Sequence, residues 1–491
     1  MTNTNITYFP DKSILLVFLS GGEKVTFMAK IKKAWFCSAC GNESPKWMGK
    51  CPACGEWNTM VEEIVSKSPD NSSLTSRAQS FLQGAGNSKP QPLPQIESGQ
   101  ESRIMLGNDP SGRGNELDRV LGGGMVKGSL VLVGGEPGIG KSTLSLQISL
   151  MNNGLKTLYV SGEESARQIK MRAERLGGVH DNCLVLSETL LENILNETRN
   201  VQPQLLIIDS IQTIYSQNIE SSAGSVSQVR ECAAALLRYA KESGTPVVLI
   251  GHITKDGNIA GPKVLEHIVD VVLQFEGDTR HAYRILRSIK NRFGSTAELA
   301  VYQMCADGLQ EVLNPSEMFI PMHGENLSGV AVSAMLDGSR PFLIEVQALV
   351  STAAYGTPQR SATGFDVRRM NMLLAVLEKR VGFKLSQKDV FLNIAGGLKV
   401  ADPACDMGIV AAILSSNFDE SVPSGYAFAG EIGLSGEIRP VSQIEKRIAE
   451  AAKLGMEKIF ISTFNKPQGK GNREIQVIPV STVAELVKHI F

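Results

Sequence analysis

The stretch Ser129-Leu-Val-Leu-Val-Gly-Gly135-Glu136-Pro137-Gly138-Ile139-Gly140-Lys141-Ser142-Thr143, running on into Leu144-Ser-Leu-Gln-Ile-Ser-Leu-Met151, decides the fold of this chain. The apolar run before the glycines reads as a strand buried on both faces, and residues 144–151 read as a helix. Between them lies G-x-x-x-x-G-K-[ST] in the strand–loop–helix context that this motif demands. Glycines let successive backbone N–H groups curl around phosphates, and the helix N-terminus adds the positive end of its dipole. Residues Gly135 to Thr143 are therefore expected to cradle ATP, with Lys141 reaching the β- and γ-phosphates and Ser142 supplying an oxygen to Mg²⁺.

The neighbouring strands carry the complementary groups. Leu205-Leu-Ile-Ile-Asp209 is an apolar strand ending in a carboxylate, placed to hold the Mg²⁺ shell. Thr157-Leu-Tyr-Val160 leads into Ser161-Gly162-Glu163-Glu164, where a carboxylate at the strand end could deprotonate an attacking water. Glu163 is preferred over Glu164 because it stands nearer the strand; both could instead favour the first turn of a helix starting near Ser165. Thr245-Pro-Val-Val-Leu-Ile-Gly251 ends in His252, which reads either as a γ-phosphate sensor or as a plain strand-end histidine. The loop Lys255 to Lys263 follows, with Gly257, Gly261 and two cations. From Leu106 to Asn314 short β-branched runs alternate with amphipathic stretches, the pattern of an α/β domain with a largely parallel sheet.

Upstream, Cys37-Ser-Ala-Cys40 and Cys51-Pro-Ala-Cys54 form two C-x-x-C knuckles, four of the eight cysteines of the chain. Four thiolates from two tight turns complete a tetrahedron suited to a closed, structural Zn²⁺ site. Lys30, Lys32, Lys33, Lys46 and Lys50 surround these ligands, with all three tryptophans, Trp35, Trp47 and Trp57. Cations interleaved with rings suit single-stranded nucleic acid or a partner's surface; tryptophans packed on the ribbon beside solvated lysines are the alternative.

Lys+Arg 49 against Asp+Glu 50 leaves a formal charge of -1, so any nucleic-acid contact must come from local patches. With 42% hydrophobic and 20% charged residues, the chain is neither collagen-like nor wholly disordered. The N-terminal apolar run Ile14–Leu19 is far shorter than the about 18 residues that a membrane span needs, and lacks the build of a secretory signal. Clustered cysteines without an export signal point to the cytoplasm and to no membrane partner. Met28 is an alternative start, with 1–27 an uncertain extension. The expected organisation is 28–62 as the zinc unit, 63–100 as a Ser- and Pro-rich flexible linker, 101–314 as the α/β domain, and 315–491 as a further domain without a phosphate motif.

These motifs together resemble the RecA-like ATPase core. Lys290-Asn291-Arg292-Phe293-Gly294, with the four-cysteine knuckles, is similar to the RadA (Sms) family of bacterial DNA repair proteins. The resemblance runs from about Lys30 to the C-terminus. It implies an α/β RecA-like core, preceded by a zinc ribbon and followed by an α+β Lon-protease-like domain. It further implies a hexameric ring that hydrolyses ATP, binds single-stranded and branched DNA, drives branch migration, and works with a recombinase or a replicative helicase. By that likeness Lys255 contacts DNA, and Lys290 and Arg292 either reach a neighbouring subunit's ATP or contact DNA.

The C-terminal part resembles the proteolytic domain of Lon through Gly430-Glu-Ile-Gly-Leu-Ser-Gly-Glu-Ile-Arg-Pro440-Val441. Where that family has its nucleophilic serine this chain has Ala404, and where it has its lysine this chain has Glu445. Alanine carries no nucleophilic atom, Lys446 is one position out of register, and Cys405 lacks an evident base. The domain is expected to be a proteolytically dead scaffold for assembly and DNA guidance. One of its helices should bury the stripe Met370, Leu373, Leu374, Leu377, with Arg368, Arg369, Lys379 and Arg380 flanking it, either along a DNA path or as a solvated helix end.

Overall fold

The computed structural model describes residues 32–37, 42–65, 103–107, 116–252, 263–277, 283–320, 327–353, 356–467 and 475–491. The N-terminal extension, residues 66–100 of the linker, Cys40 and the loop residues 255–262 with Lys255 lie outside the described residues; of His252 and Lys263 the backbone alone is described.

The ribbon is a three-stranded antiparallel sheet in the order β2-β1-β3, from β1 (Lys32–Cys37), β2 (Glu43–Ser44) and β3 (Met60–Val65). Among the described residues its core cluster is Cys37, Cys51 and Met60, with Trp35 and Cys54 packed against them, and Ala34 and Phe36 are also buried. So few apolar groups cannot repay chain entropy, and a metal is the usual substitute.

The chain forms two compact units, 1–275 with 288–294 and 306–309, and 276–287 with 295–305 and 310–491. The first begins its core with a short helix α1 (Glu116–Val120), followed by β4 (Leu130–Gly135), α2 (Lys141–Met151), β5 (Thr157–Ser161), α3 (Ala166–Arg175), β6 (Cys183–Ser187), α4 (Leu191–Val201), β7 (Leu205–Asp209), α5 (Val226–Ser243), β8 (Val247–His252), α6 (Lys263–Ile268) and β9 (Val271–Glu276). Its strands pair in parallel in the order β9-β4-β8-β7-β5-β6. Every residue of β4, β5 and β7 is buried, which is why these strands are written as unbroken apolar runs instead of alternating ones. The chain leaves β4 in one direction toward β5 and later returns from β8 to β9 on the other side. This reversal opens a crevice at the carboxyl end of β4, where open α/β sheets bind ligands.

The second unit starts with the first half of β10 (Tyr283–Asn291), which pairs antiparallel with β11 (Leu299–Cys305), and β12 (Gly308–Glu311) follows. A short helix α7 (Ser316–Phe319) precedes β13 (Val330–Asp337), β14 (Arg340–Thr352), β15 (Arg360–Thr363), α8 (Val367–Val376), β16 (Lys388–Ile394), α9 (Asp406–Phe418), β17 (Tyr426–Ala429), β18 (Glu431–Ile432), β19 (Ile438–Arg439), α10 (Ile444–Lys453), β20 (Lys458–Ser462), β21 (Gln476–Val480) and α11 (Val483–Ile490). A mixed seven-stranded sheet, β15-β16-β14-β13-β17-β20-β21, carries the core. The predicted stripe on α8 is buried at Met370, Leu373, Leu374 and Leu377, and the helix continues as a π turn over Leu377–Val381. Arg369 does not face solvent as a free cation. Its guanidinium pairs with Asp406, which is fully buried and also accepts from the Ile432 N–H at 3.1 Å.

Beside α9, Arg447 is 1% exposed. Its Nη1 donates to Asp402 Oδ2 and to the Ala334 carbonyl, both at 2.7 Å, and its Nε donates to the Ser442 carbonyl at 3.1 Å. Asp402 in turn accepts from the Leu336 and Ala404 N–H groups at 2.7 and 3.0 Å. Removing one partner strands a buried charge, so Arg447→Ala should destabilise the chain by about 3–5 kcal/mol. Urea unfolding checks this; a loss below about 1 kcal/mol would mean that the pair is solvated.

Candidate nucleotide site and metal centre

The strand register aligns the candidate groups. Gly135 on β4 is the register partner of His252 on β8, and Ser161 on β5 is that of Asp209 on β7; with Ile208 opposite Leu249, the second pair ends two residues short of the first along the same edge of the sheet. Gly140 caps α2 at φ 119 with no side-chain hydrogen bond, and Gly138 sits at φ 77. These left-handed conformations suit glycine, and the loop they shape precedes the first-turn N–H groups of Lys141, Ser142 and Thr143, which intrahelical bonding leaves over. That donor set fits a polyphosphate. Lys141 is 4% exposed, and its Nζ donates to the Gly135 and Glu136 carbonyls at 2.8 and 2.9 Å. Burial presses its ammonium below the ordinary lysine value, while Asp209 and Glu163 pull it upward. The three predicted residues are thus brought within electrostatic reach of one another.

Asp209 is 5% exposed at the end of β7. Its Oδ2 accepts a 2.5 Å hydrogen bond from the Tyr159 hydroxyl on β5. Burial, then the Asp209 charge, holds the Tyr159 phenol well above its usual range, so it remains a donor. Glu163 Oε1 accepts from Ser210 Oγ at 2.5 Å. Gly162 lets this happen: a Cβ there would run into Thr213 and lie 3.1 Å from Thr189 Cγ2. The neighbouring Glu164 turns the other way, onto the Arg172 guanidinium of α3, so the two adjacent carboxylates have separate partners. Helix α3 begins at Ala166, with Ser165 and Gln168 forming a capping box.

Tyr159 and Ser210 were not singled out from sequence. The available signals were a phenol inside an otherwise aliphatic buried strand and a hydroxyl directly after the strand-end aspartate.

The structure separates the two cations of the Lys290–Gly294 motif. Lys290 Nζ donates to the Glu266 and Val269 carbonyls at 2.5 and 2.8 Å, closing the C-terminal end of α6. Arg292 has a side chain 54% exposed, and its Nη1 meets Asp270 Oδ1 at 3.2 Å. Asp270, itself 2% exposed, also accepts from Lys241 Nζ at 2.9 Å and from the Leu130 N–H at 3.1 Å, which ties the motif to the start of the P-loop strand. Asn291 Nδ2 reaches the Leu121 carbonyl at 3.2 Å, the Phe293 carbonyl accepts from Arg103 at 2.9 Å, and Gly294 lies against Gly122 so closely that a Cβ would stand 3.0 Å from its Cα. All five residues thus brace the fold, and only Arg292 does so with a guanidinium that stays more than half exposed.

In the ribbon, the sulfurs of Cys37, Cys51 and Cys54 all lie within 4.8 Å of one another, and Cys37 and Cys54 are 3.7 Å apart. Sulfurs about 2.3 Å from a central Zn²⁺ form a tetrahedron with edges of about 3.8 Å, so these residues fit the ion. In the second unit, Ala404 and Cys405 are fully buried, and burial pushes the Cys405 thiol well above its ordinary value.

Two measurements follow. Tyr159→Phe should raise the Mg²⁺ concentration needed for half-maximal ATP hydrolysis about ten-fold, since a hydrogen bond to a charged group is lost; an unchanged Mg²⁺ titration would deny Tyr159 a positioning role. Cys51→Ser should abolish zinc in the purified chain, and chelation should red-shift the tryptophan emission, because all three tryptophans lie on the ribbon.

Residues 35–62 match the rubredoxin metal-binding domain family, residues 105–258 the AAA domain family, and residues 349–465 the family described as subunit ChlI of Mg-chelatase. The chain is 49% identical over 466 residues to the DNA repair protein RadA of Bacillus subtilis (strain 168), covering 94% of this chain and 99% of that protein. It is 50% identical over 465 residues to DNA repair protein RadA of Halalkalibacterium halodurans, with the same coverage. Among solved structures, a KaiC-like protein from Pyrococcus horikoshii OT3 is similar at 20% identity and TM-score 0.34, over 40% of this chain and 95% of that one. The RadB recombinase is similar at 22% identity and TM-score 0.33, over 40% and 96%. With a zinc ribbon, a RecA-like ATPase core and a third, Lon-like domain in this order, the chain belongs to the family of the bacterial DNA repair protein RadA.

Proposed function

We propose that the chain is a DNA-dependent ATP hydrolase of recombinational repair in the cytoplasm. In this reading it forms a hexameric ring, binds single-stranded DNA and drives branch migration alongside a recombinase or replicative helicase. The observation that carries the reading is the approach of Lys141, at the start of the helix after the P-loop, to Asp209 and Glu163 beyond the adjoining strands β7 and β5, in a chain that also keeps Arg292 exposed.

Lys141 and the N–H groups of Gly138 to Thr143 would hold the triphosphate, and Ser142 and Asp209 would hold Mg²⁺. When bound, that ion neutralises charge between the β- and γ-phosphate oxygens. Tyr159 fixes the rotamer of Asp209, and Ser210 fixes that of Glu163. Glu163 takes a proton from the water whose oxygen attacks the γ-phosphorus, while the bond to the β-phosphate oxygen breaks and its electrons stay on ADP. Arg292 is the residue suited to meet developing charge in a neighbouring subunit's site, and Lys290 supports it by closing α6. The loop after His252, with Lys255, would carry DNA contact and respond to γ-phosphate loss. The third domain has no usable nucleophile at Ala404 or Cys405 and serves assembly instead.

Steady-state ATPase with and without single-stranded DNA, at low and high salt, tests the reading, with Lys141→Ala as the blank. Salt-sensitive stimulation is expected. Glu163→Gln should lose about 10²–10⁴-fold in kcat. Arg292→Ala should lose hydrolysis with DNA binding intact. Hydrolysis indifferent to DNA in a zinc-loaded, assembled protein would replace this reading with that of an ATP switch.

A further inference from the structure

The ribbon uses its tryptophans unequally. Trp35 packs against the cysteine cluster, as a structural tryptophan should. Trp47 and Trp57 are 52% and 67% exposed, although burying an indole is among the larger stabilisations open to so small a unit. They are also neighbours. Gly49 lies beneath both, and a Cβ there would touch Trp47 Cη2 at 3.6 Å and Trp57 Cζ3 at 3.7 Å. The backbone holds this arrangement: Lys50 and Trp57 form an antiparallel bridge, and the Asn58 N–H donates to the Gly49 carbonyl at 2.8 Å. Lys50 Nζ stands 5.7 Å from the Trp57 ring centroid, and Lys46, next to Trp47, is exposed. From Pro45 to Trp57 these two cations face the single carboxylate of Glu56.

We propose that Trp47 and Trp57 form a stacking platform for unpaired nucleobases, a DNA contact on the ribbon separate from the ATPase loops. Two exposed rings beside a glycine, one of them with the Lys50 ammonium over it, offer flat aromatic surface next to positive charge, which suits a base and its phosphate more than a side chain. Every base has a π face, so the platform tolerates any sequence, and Lys50 and Lys46 are placed for the flanking phosphates. A protein partner is the competing occupant. The proposal rests on the single-strand binding put forward above.

All three tryptophans of the chain lie on the ribbon, so its intrinsic emission reports on this unit alone. The test titrates the zinc-loaded full chain with oligo(dT) and with duplex DNA, following tryptophan emission and, in parallel, the anisotropy of an end-labelled oligo(dT). The expected result is quenching by oligo(dT) and much less by duplex. Trp57→Ala should weaken oligo(dT) binding roughly ten-fold at unchanged zinc content, Trp57→Phe should restore most of it, and the defect should persist at high salt because stacking is not screened. Anisotropy binding without quenching, or with unaltered affinity in Trp47→Ala and Trp57→Ala, would overturn the platform and assign the rings to a protein partner. No anisotropy change with the unaltered chain would instead overturn single-strand binding itself, and the platform with it.

Discussion

The registered parallel pairing of β4, β8, β7 and β5 is the constraint on which the candidate site depends. Gly135 opposite His252 and Ser161 opposite Asp209 are consequences of backbone hydrogen bonds along whole strands, not of local contacts. Side chains alternate along a strand, so a slip of one residue would turn Asp209 away from Lys141 and Tyr159 away from Asp209. The register is held because each of these strands is buried on both faces, and sliding would misplace an entire row of Val, Leu and Ile side chains.

Around that edge, polar side chains fix one another in pairs. Tyr159 holds Asp209, Ser210 holds Glu163, and Arg172 holds Glu164. In a buried setting each bond is stronger than it would be in water, and an unmet partner is costly, so such pairs have few alternative geometries. The same logic governs the Lys290–Gly294 motif. Asp270 gathers Lys241, Arg292 and the Leu130 N–H, so the strand that precedes the P-loop and the residue with the exposed guanidinium share one carboxylate. A change at the motif would therefore be felt at the start of β4.

The second unit keeps a polar centre around Ala404. Arg447 and Asp402 satisfy backbone groups around Ala404, and Cys405 is sealed under them as a protonated thiol. A buried ion pair of this kind gives little net stability relative to an apolar substitute but is strongly destabilising when halved. The ribbon differs: its described core cluster is small, its cysteines are gathered where a metal would fit, and two indoles are left to the solvent.

By itself the sequence determined what depends on local order. The P-loop, the strand-end Asp209, the stripe on α8 and the start of α3 after Ser165 are all set by residue types at short spacing, where backbone geometry and burial act directly. The tertiary structure decided what depends on side chains meeting across tens or hundreds of residues. Glu163 and Glu164 are neighbours in sequence, and only Ser210 and Arg172, reached by folding, give them different surroundings. Lys290 and Arg292 look alike in one dimension; the carbonyls of α6 claim the first and leave the second exposed. Trp35, Trp47 and Trp57 likewise share a neighbourhood in sequence, and the folded ribbon determines which ring is packed and which two are exposed, because burial is a property of the folded surface.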